Sequence, residues 1–303
     1  MTGTRRAVTG VLLVDKHEGV SSGTVVGWSK RLLNAEKAGH TGTLDPFATG
    51  LLPICFGEAA KFSRFMLEAN KGYRATLKLG QKSSTGDTEG EIVETRPVKV
   101  DAVRVGEVLA SLLGAQEQIP PMHSALKRDG IPLYKLARQG LEIERAPRGV
   151  HIHNLTVVTL NVDELVVDTV VSKGTYIRVL GEDIGEMLGC GAHLTALRRT
   201  STGGFDVGQS ITLEALEALA MNDREMQLLA PDSLALALPR IALSPLDAKS
   251  LQNGQNPVVP FSGGVSAEYR VYDEAGVFIG IANLTVREDS TASLIASRLM
   301  TPE

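Results

Sequence analysis

Cysteine is almost missing from this 303-residue chain: Cys55 and Cys190 stand far apart, in neither a C-x-x-C nor a Cys/His ligand spacing. A disulfide framework and a structural zinc site are therefore not expected, and structure must come from packing. No run approaches the roughly 18–20 consecutive apolar residues of a membrane span. Met1 to Thr9 lacks the apolar segment of a secretory signal, so the expected location is cytoplasmic. Positive charge is not in excess either. Lys+Arg number 31 against 35 Asp+Glu, a formal net charge of -4, which excludes a uniformly basic nucleic-acid binder but leaves room for a basic face on an acidic body. There is no G-x-G-x-x-G after a strand, no G-x-x-x-x-G-K-[ST] and no H-E-x-x-H. Nucleotide-cofactor and zinc-protease chemistries lose their usual signatures. No cofactor and no metal are expected.

What is present reads as a mixture of strands and helices over about two domains. The apolar run Gly10 to Asp15 predicts a strand, and Ser21-Ser22 precedes an amphipathic stretch, Thr24 to Leu33, that predicts a helix. A Gly-, Thr- and Pro-rich loop from Ala38 to Gly50 follows, then apolar Leu51 to Phe56 and a helical pattern from Glu58 to Leu67. Tyr73 to Leu79 alternates as a half-buried strand, and Gln81 to Gly90 reads as a polar loop. Val103 to Leu113 and Thr175 to Leu188 read as helices, each ended by Gly, while Val150 to Leu160 and Glu164 to Ser172 form a hairpin candidate around Asn161 to Asp163. Strict strand–helix alternation is missing, so the expected fold is α+β, with a mixed, mainly antiparallel central sheet and flanking helices. Closely spaced Pro231, Pro239 and Pro245 mark a composition shift. The expected boundary separates residues 1–239 from a small β-barrel-like module at 240–303.

The stretch that asks for a chemical reading is Gly39-His-Thr-Gly-Thr-Leu-Asp-Pro-Phe-Ala-Thr-Gly50. Three glycines let backbone turn sharply or approach a ligand, and they surround one carboxylate, Asp45, held in an extended or turn conformation by the following proline. On these residues alone two readings stand: Asp45 caps backbone amides in a turn, or it is a catalytic carboxylate. Between His123 and Arg148 lie Lys127, Arg128, Lys135, Arg138, Arg145 and Arg148 against Asp129, Glu142 and Glu144. That local surplus is either a solvated basic face or a phosphate-binding one.

The segment Gly39-HTGTLDPFATGLLPICFGEAAK-Phe62 closely resembles the aspartate-bearing motif of the TruB-type tRNA pseudouridine synthases. The likeness continues in family order through Lys71-Gly-Tyr-Arg74, Ile119-PPMHSAL-Lys127, Tyr134-KLARQ-Gly140, Ser172-KGTYI-Arg178 and Gly189-CGAHLTALR-Arg199. It covers residues 10 to 239 well and thins afterwards, where Gly254 to Gly264 and Gly276 to Asn283 are only similar to an RNA-binding PUA module.

The resemblance implies an isomerase that converts uridine to pseudouridine at position 55 in the TΨC arm of transfer RNA. The bond from C1′ to N1 breaks, the uracil turns, and C1′ joins C5 with no atoms gained or lost. Neither redox cofactor nor metal is needed, and one carboxylate suffices, where a glycosidase ordinarily uses two. By resemblance Asp45 is the essential aspartate, Tyr73 lies against the uracil ring, Tyr176 is a second substrate contact, and Arg178 pairs with Asp45, keeping it ionised by lowering its pKa. His40 occupies the space vacated when the nucleotide is everted, and Leu197 walls the uracil pocket. Lys61, Lys127, Arg128, Arg138, Arg198 and Arg199 are candidates for phosphate contacts. The expected partner is transfer RNA alone, with a monomeric protein. The competing reading is a tRNA-binding or tRNA-folding protein whose pocket is incidental.

Overall fold

The computed structural model describes residues 4–261 and 264–301. A nine-stranded mixed sheet organises residues 10–206. Its path runs Gly10–Lys16, Thr49–Phe56, Ala192–Thr202, Lys71–Leu79, Glu164–Val171, Arg148–Leu160, Gly114–Gln118, with two short strands, Ala38–His40 and Phe205–Asp206, paired alongside. Every pairing in it is antiparallel except one: Thr49–Phe56 and Ala192–Thr202 run parallel, Arg198 opposite Thr49 and Arg199 opposite Gly50. The fold is the expected α+β one.

The longer helices of the body pack into one apolar cluster with the sheet, joined by Leu213 and Leu216 of the short helix Leu213–Ala218. Ser22–Leu32 starts at Ser21, whose hydroxyl accepts from the Thr24 N–H at 3.1 Å, and Ala102–Ser111 starts at Asp101, which accepts from the Arg104 N–H at 2.8 Å. Ile177–Met187 puts Ile177, Leu180 and Ile184 at helical spacing on the same cluster as Leu77, Val167 and Leu194. A Cβ on Gly185 would stand 2.2 Å from the backbone nitrogen of Ala192, so this helix lies directly on the strand below it. Thr49–Phe56 is buried on both faces: Leu52, Ile54 and Phe56 enter the first cluster, Leu51 and Cys55 a second.

That second cluster, with Val11, Phe62, Met66 and Phe205, also contains Ile281 and receives Phe278 and Met300 from the C-terminal part of the chain. There a separate five-stranded sheet runs Arg240–Ala242, Ala267–Tyr272, Phe278–Val286, Thr291–Leu299, Val258–Pro260, around its own core of Leu251, Val271, Leu284 and Leu294. The Gly254 to Gly264 stretch runs through residues 262–263, which lie outside the described residues.

Two local readings change, and one strand has no counterpart in the sequence pattern. The helix expected over 58–67 is a 3₁₀ turn, Gly57–Phe62, followed by a short helix, Arg64–Glu68; the Ser63 hydroxyl bonds the Ala60 carbonyl at 2.8 Å and breaks the run between them. The loop at 81–90 begins as a short strand, Gln81–Ser83, paired with Ile92–Thr95. The long strand Ala192–Thr202 carries two irregularities, at Leu194/Ala196 and Arg199/Ser201, which erase the two-residue alternation that would have announced it.

Candidate active site

The Gly39–Gly50 loop is held from several sides. Lys16, 1% exposed, donates to the carbonyls of His17 at 3.0 Å, Val20 at 2.8 Å and Pro46 at 3.0 Å. The Ser22 hydroxyl both donates to the Leu44 carbonyl, at 3.0 Å, and accepts from the Leu44 N–H, at 2.8 Å. Arg199 donates to Leu51 O at 2.6 Å and Gly42 O at 3.3 Å, gripping both ends of the segment that carries Asp45. Gly50 has φ +99°, and a Cβ there would stand 2.2 Å from the Arg199 carbonyl oxygen, so only glycine lets the loop end so close to that strand.

Asp45 projects into a cleft of about 360 Å³ that it shares with Tyr73, Tyr176, Arg178, Leu197 and Lys71. The Arg178 guanidinium, 5% exposed, approaches Asp45 Oδ2 at 3.1 Å and Asp87 Oδ2 at 3.4 Å. It also donates to the carbonyls of Thr85 at 3.1 Å and His123 at 2.6 Å. Arg178 sits in the first turn of its helix, from which long side chains lean toward the N-terminus and hence over the cleft. That helix start is fixed by Gln118, whose amide accepts from the Tyr176 N–H at 2.9 Å and donates to the Tyr176 carbonyl at 3.4 Å.

The electrostatics differ from the expectation. The Asp45 side chain keeps 37% of its surface open to the cleft, with protein packed around the rest. Burial pushes its carboxyl above the usual carboxylate range, Arg178 pulls the other way, and Asp87 adds like-charge repulsion; the net direction is up, where pairing alone had pointed down. His40 does not line this cleft. It lines a second cavity of about 630 Å³ that shares Asp45 and Arg178 with the first, together with Tyr134, Arg138, His123 and Glu89. Burial, then Arg199, lower its pKa, and its Nδ1 accepts from the Gly42 N–H at 3.3 Å, which assigns the proton of the neutral ring to Nε2. Burial raises the Tyr176 phenol.

Several expected phosphate contacts are spent elsewhere. Lys61 lies outside both cavities: its ammonium holds Glu58 at 2.6 Å, Leu299 O at 3.1 Å and Thr301 Oγ1 at 3.0 Å, tying the body to the last strand. Arg198 forms a two-pronged pair with Asp15 at 3.0 and 2.7 Å, and Arg199, 1% exposed, is internal. Lys127, Arg128 and Arg138 remain on an exposed segment. Asp87 and Gln118, which sequence reading passed over, are both buried at the site. Asp87 lay in what read as a plain polar loop, and Gln118 offered no signal beyond preceding the Ile119 motif.

Sheet order and cleft position place the chain in the pseudouridine synthase fold. A chain in a crystal structure of a Cbf5-Nop10-Gar1 complex superposes with a TM-score of 0.74 over 97% of this chain and 85% of that one, at 24% identity. Residues 30–177 match the TruB family pseudouridylate synthase N-terminal domain, residues 178–248 the tRNA pseudouridylate synthase B C-terminal domain, and residues 239–299 the C-terminal domain of pseudouridine synthase II TruB. The chain is 50% identical over 296 residues to the tRNA pseudouridine synthase B of Thiobacillus denitrificans, covering 98% of this chain and 97% of that protein. It is 47% identical to the enzyme of the same name from Neisseria meningitidis serogroup B, covering 98% and 95%. The chain belongs to the TruB family of pseudouridine synthases.

Proposed function

We propose that this chain isomerises uridine to pseudouridine in transfer RNA, at position 55 of the TΨC arm, acting as a single chain with Asp45 as its essential group. The observation that carries the reading is the Asp45–Arg178 pair, 3.1 Å apart, in a cleft that also presents Tyr73, Tyr176 and Leu197. A uridine stacked in an RNA arm cannot offer C1′ to a carboxylate, so it is everted, at about a few kcal/mol, and its flat ring is received between aromatic and apolar walls. Arg178 orients the carboxylate through its fork of donors, and Asp45 acts at the sugar–base junction in its ionised form. Residues 240–303, whose separate sheet packs on the body through Phe278, Ile281 and Met300, form an RNA-binding module of the PUA kind. Their Lys61 and Arg64 contacts, the latter to Glu268, hold it in a fixed place relative to the cleft.

The test is conversion of the target uridine in a T-arm transcript. The unaltered protein converts it stoichiometrically, and Asp45→Asn binds the transcript but leaves uridine intact. Normal conversion by purified Asp45→Asn would overturn the mechanism and leave tRNA binding or folding as the function; release of free uracil would show a hydrolase instead.

A further inference from the structure

Arg199 heads the fully buried side chains by volume, yet no carboxylate lies within ion-pair distance of it among the described residues. Buried charges are ordinarily paired. Arg178, which lines the same cleft, has both Asp45 and Asp87; Arg199 has only two backbone carbonyls. Its Nη1 makes no hydrogen bond within the described protein and stands 3.5 Å from where a Cβ on Gly42 would lie, and both residues line the cleft. Lys71 lines it too, 8% exposed and likewise bonded to neutral carbonyls, those of Met66, Leu67 and Ala69. The charge of Arg199 is felt around it: after burial, it is among the causes that lower His40, Lys71 and Lys16. A fixed positive charge with no carboxylate partner, lining the cleft, suits negative charge that arises only during reaction.

Given the function proposed above, such a charge has one place to appear. When C1′–N1 breaks, the bonding pair stays with N1 and the detached uracil carries a negative charge spread over N1, O2 and O4. After the ring turns, C5 supplies the pair for the new C1′–C5 bond, the C5 proton departs to a base and N1 takes one up, so no oxidant or reductant enters. We propose that Arg199 stabilises this departing uracil anion, with Lys71 reinforcing the same field, in addition to gripping the Asp45 loop.

The experiment separates these two roles by changing the leaving group. Fluorine at C5 draws electron density and makes the detached base a more stable anion. Single-turnover loss of the target nucleoside is measured, with enzyme in excess, on T-arm transcripts carrying uridine or 5-fluorouridine. Arg199→Gln keeps an amide N–H for the loop carbonyls and drops the charge. It is expected to slow the uridine substrate by ~10²-fold and the fluorinated one about tenfold less, since removing one such electrostatic donor costs ~10²–10³ in rate. Arg199→Lys keeps the charge and is expected to preserve the unaltered protein's ratio between the two substrates even where both slow. Equal slowing of both substrates by Arg199→Gln would reduce the residue to loop positioning, and unchanged rates with weakened RNA affinity would make it a phosphate contact; either overturns the proposal. The ratio is internal to each preparation, so partial misfolding cancels, and Lys71→Gln gives a second reading of the same ratio should Arg199→Gln not fold. Failure of the unaltered protein to convert uridine would instead strike the proposed function.

Discussion

The two walls of the cleft are built in opposite ways. One is the loop around Asp45, where Thr41, Leu44, Phe47, Ala48, Gly50 and Leu51 are all buried and where Lys16, Ser22, Arg178 and Arg199 each reach in to hold backbone or carboxylate. The other is residues 121–149, which supply Ser124, Ala125 and Leu126 to the cleft and Tyr134 and Arg138 to the cavity beside it, yet bury only Ser124 and Leu133. That segment has two-residue strands, Lys127–Arg128 and Ile131–Pro132, and a five-residue helix, Leu133–Ala137. A reacting carboxylate needs its geometry fixed beforehand, whereas a surface that must close over an RNA arm gains from being cheap to move. Substitutions in the first wall should therefore strike the rate and the stability, and substitutions in the second the binding.

The largest effect is expected at Arg178. Replacing it with Met removes the guanidinium that Asp45 and Asp87 share as a counter-charge. The single-turnover rate should fall by ~10²–10³-fold with tRNA affinity nearly unchanged, because the lost interaction belongs to the transition state. The sign of the pH dependence follows. On the proposed mechanism activity requires ionised Asp45 and is lost as pH falls through its pKa, which burial already holds above the ordinary range. Without Arg178 that pKa rises further, so the acid limb of the pH–rate profile moves to higher pH; a limb that stays in place would show that Asp45 is not the titrating group.

Next in size is Asp87→Asn. Asp87 is 1% exposed, accepts from Thr85 Oγ1 at 2.5 Å and from the Glu89 N–H at 3.0 Å, and shares Arg178 with Asp45. An amide keeps much of the shape and removes the charge, leaving Arg178 to Asp45 alone. The rate should fall about tenfold through loosened positioning, since misplacement at a distance carries costs of this order. The acid limb should now move to lower pH, opposite to Arg178→Met, because the like charge that raises Asp45 is gone. Limbs moving in the same direction would break the electrostatic account while leaving Asp45 essential.

Much of the first wall could be read from the chain and little of its support could. The Gly-rich loop with its single Asp-Pro is conspicuous because three glycines and a carboxylate have no business in a core, and the apolar run after it announces the strand that anchors it. Arg199 was legible as a cation and illegible as a buried one: it sits beside the Arg199/Ser201 irregularity, where alternation no longer tells inside from outside. Lys61 misled for a related reason, since its partners Leu299 and Thr301 lie some 240 positions away, and no local pattern carries contacts of that range. Asp87 and Gln118 act through single hydrogen bonds and ion pairs that leave no periodic trace. The whole strand Ala192–Thr202 went unread on its pattern, although its residues carried part of the family likeness.

A third effect, on stability, comes from Lys16→Met. It leaves the carbonyls of His17, Val20 and Pro46 without the donor they share, inside the turn that carries the loop. Methionine fills the space but cannot donate, and unsatisfied buried acceptors cost about 1–3 kcal/mol each where water cannot reach them. The Pro46 carbonyl keeps the Gly19 N–H at 2.8 Å, so with the other two partly regaining water a loss of about 1–3 kcal/mol in denaturant unfolding is expected. A neutral outcome would mean that the loop is held by Ser22 and Arg199 without help from this side.

The smallest effect tests the second wall. Arg138 is exposed, lines the cavity beside Asp45, and has its guanidinium 5.7 Å from the Tyr134 ring centroid, with no carboxylate in ion-pair contact among the described residues. A cation left free in this way, on a segment with little buried surface to lose, is suited to a phosphate. Arg138→Ala should leave stability within ~0.5 kcal/mol, as exposed substitutions do. It should raise KM for transfer RNA a few-fold, leave kcat unchanged, and reduce the slope of log affinity against log salt by about one, the signature of a single lost phosphate contact. Limited proteolysis gives the companion measurement. Cleavage of the free protein should begin within residues 127–147, and bound T-arm RNA should slow it, because the RNA supplies the contacts that the protein itself withholds from this wall. First cleavage elsewhere, or a fall in kcat on Arg138→Ala, would mean that both walls are pre-set for chemistry and that the difference in burial between them has no functional meaning.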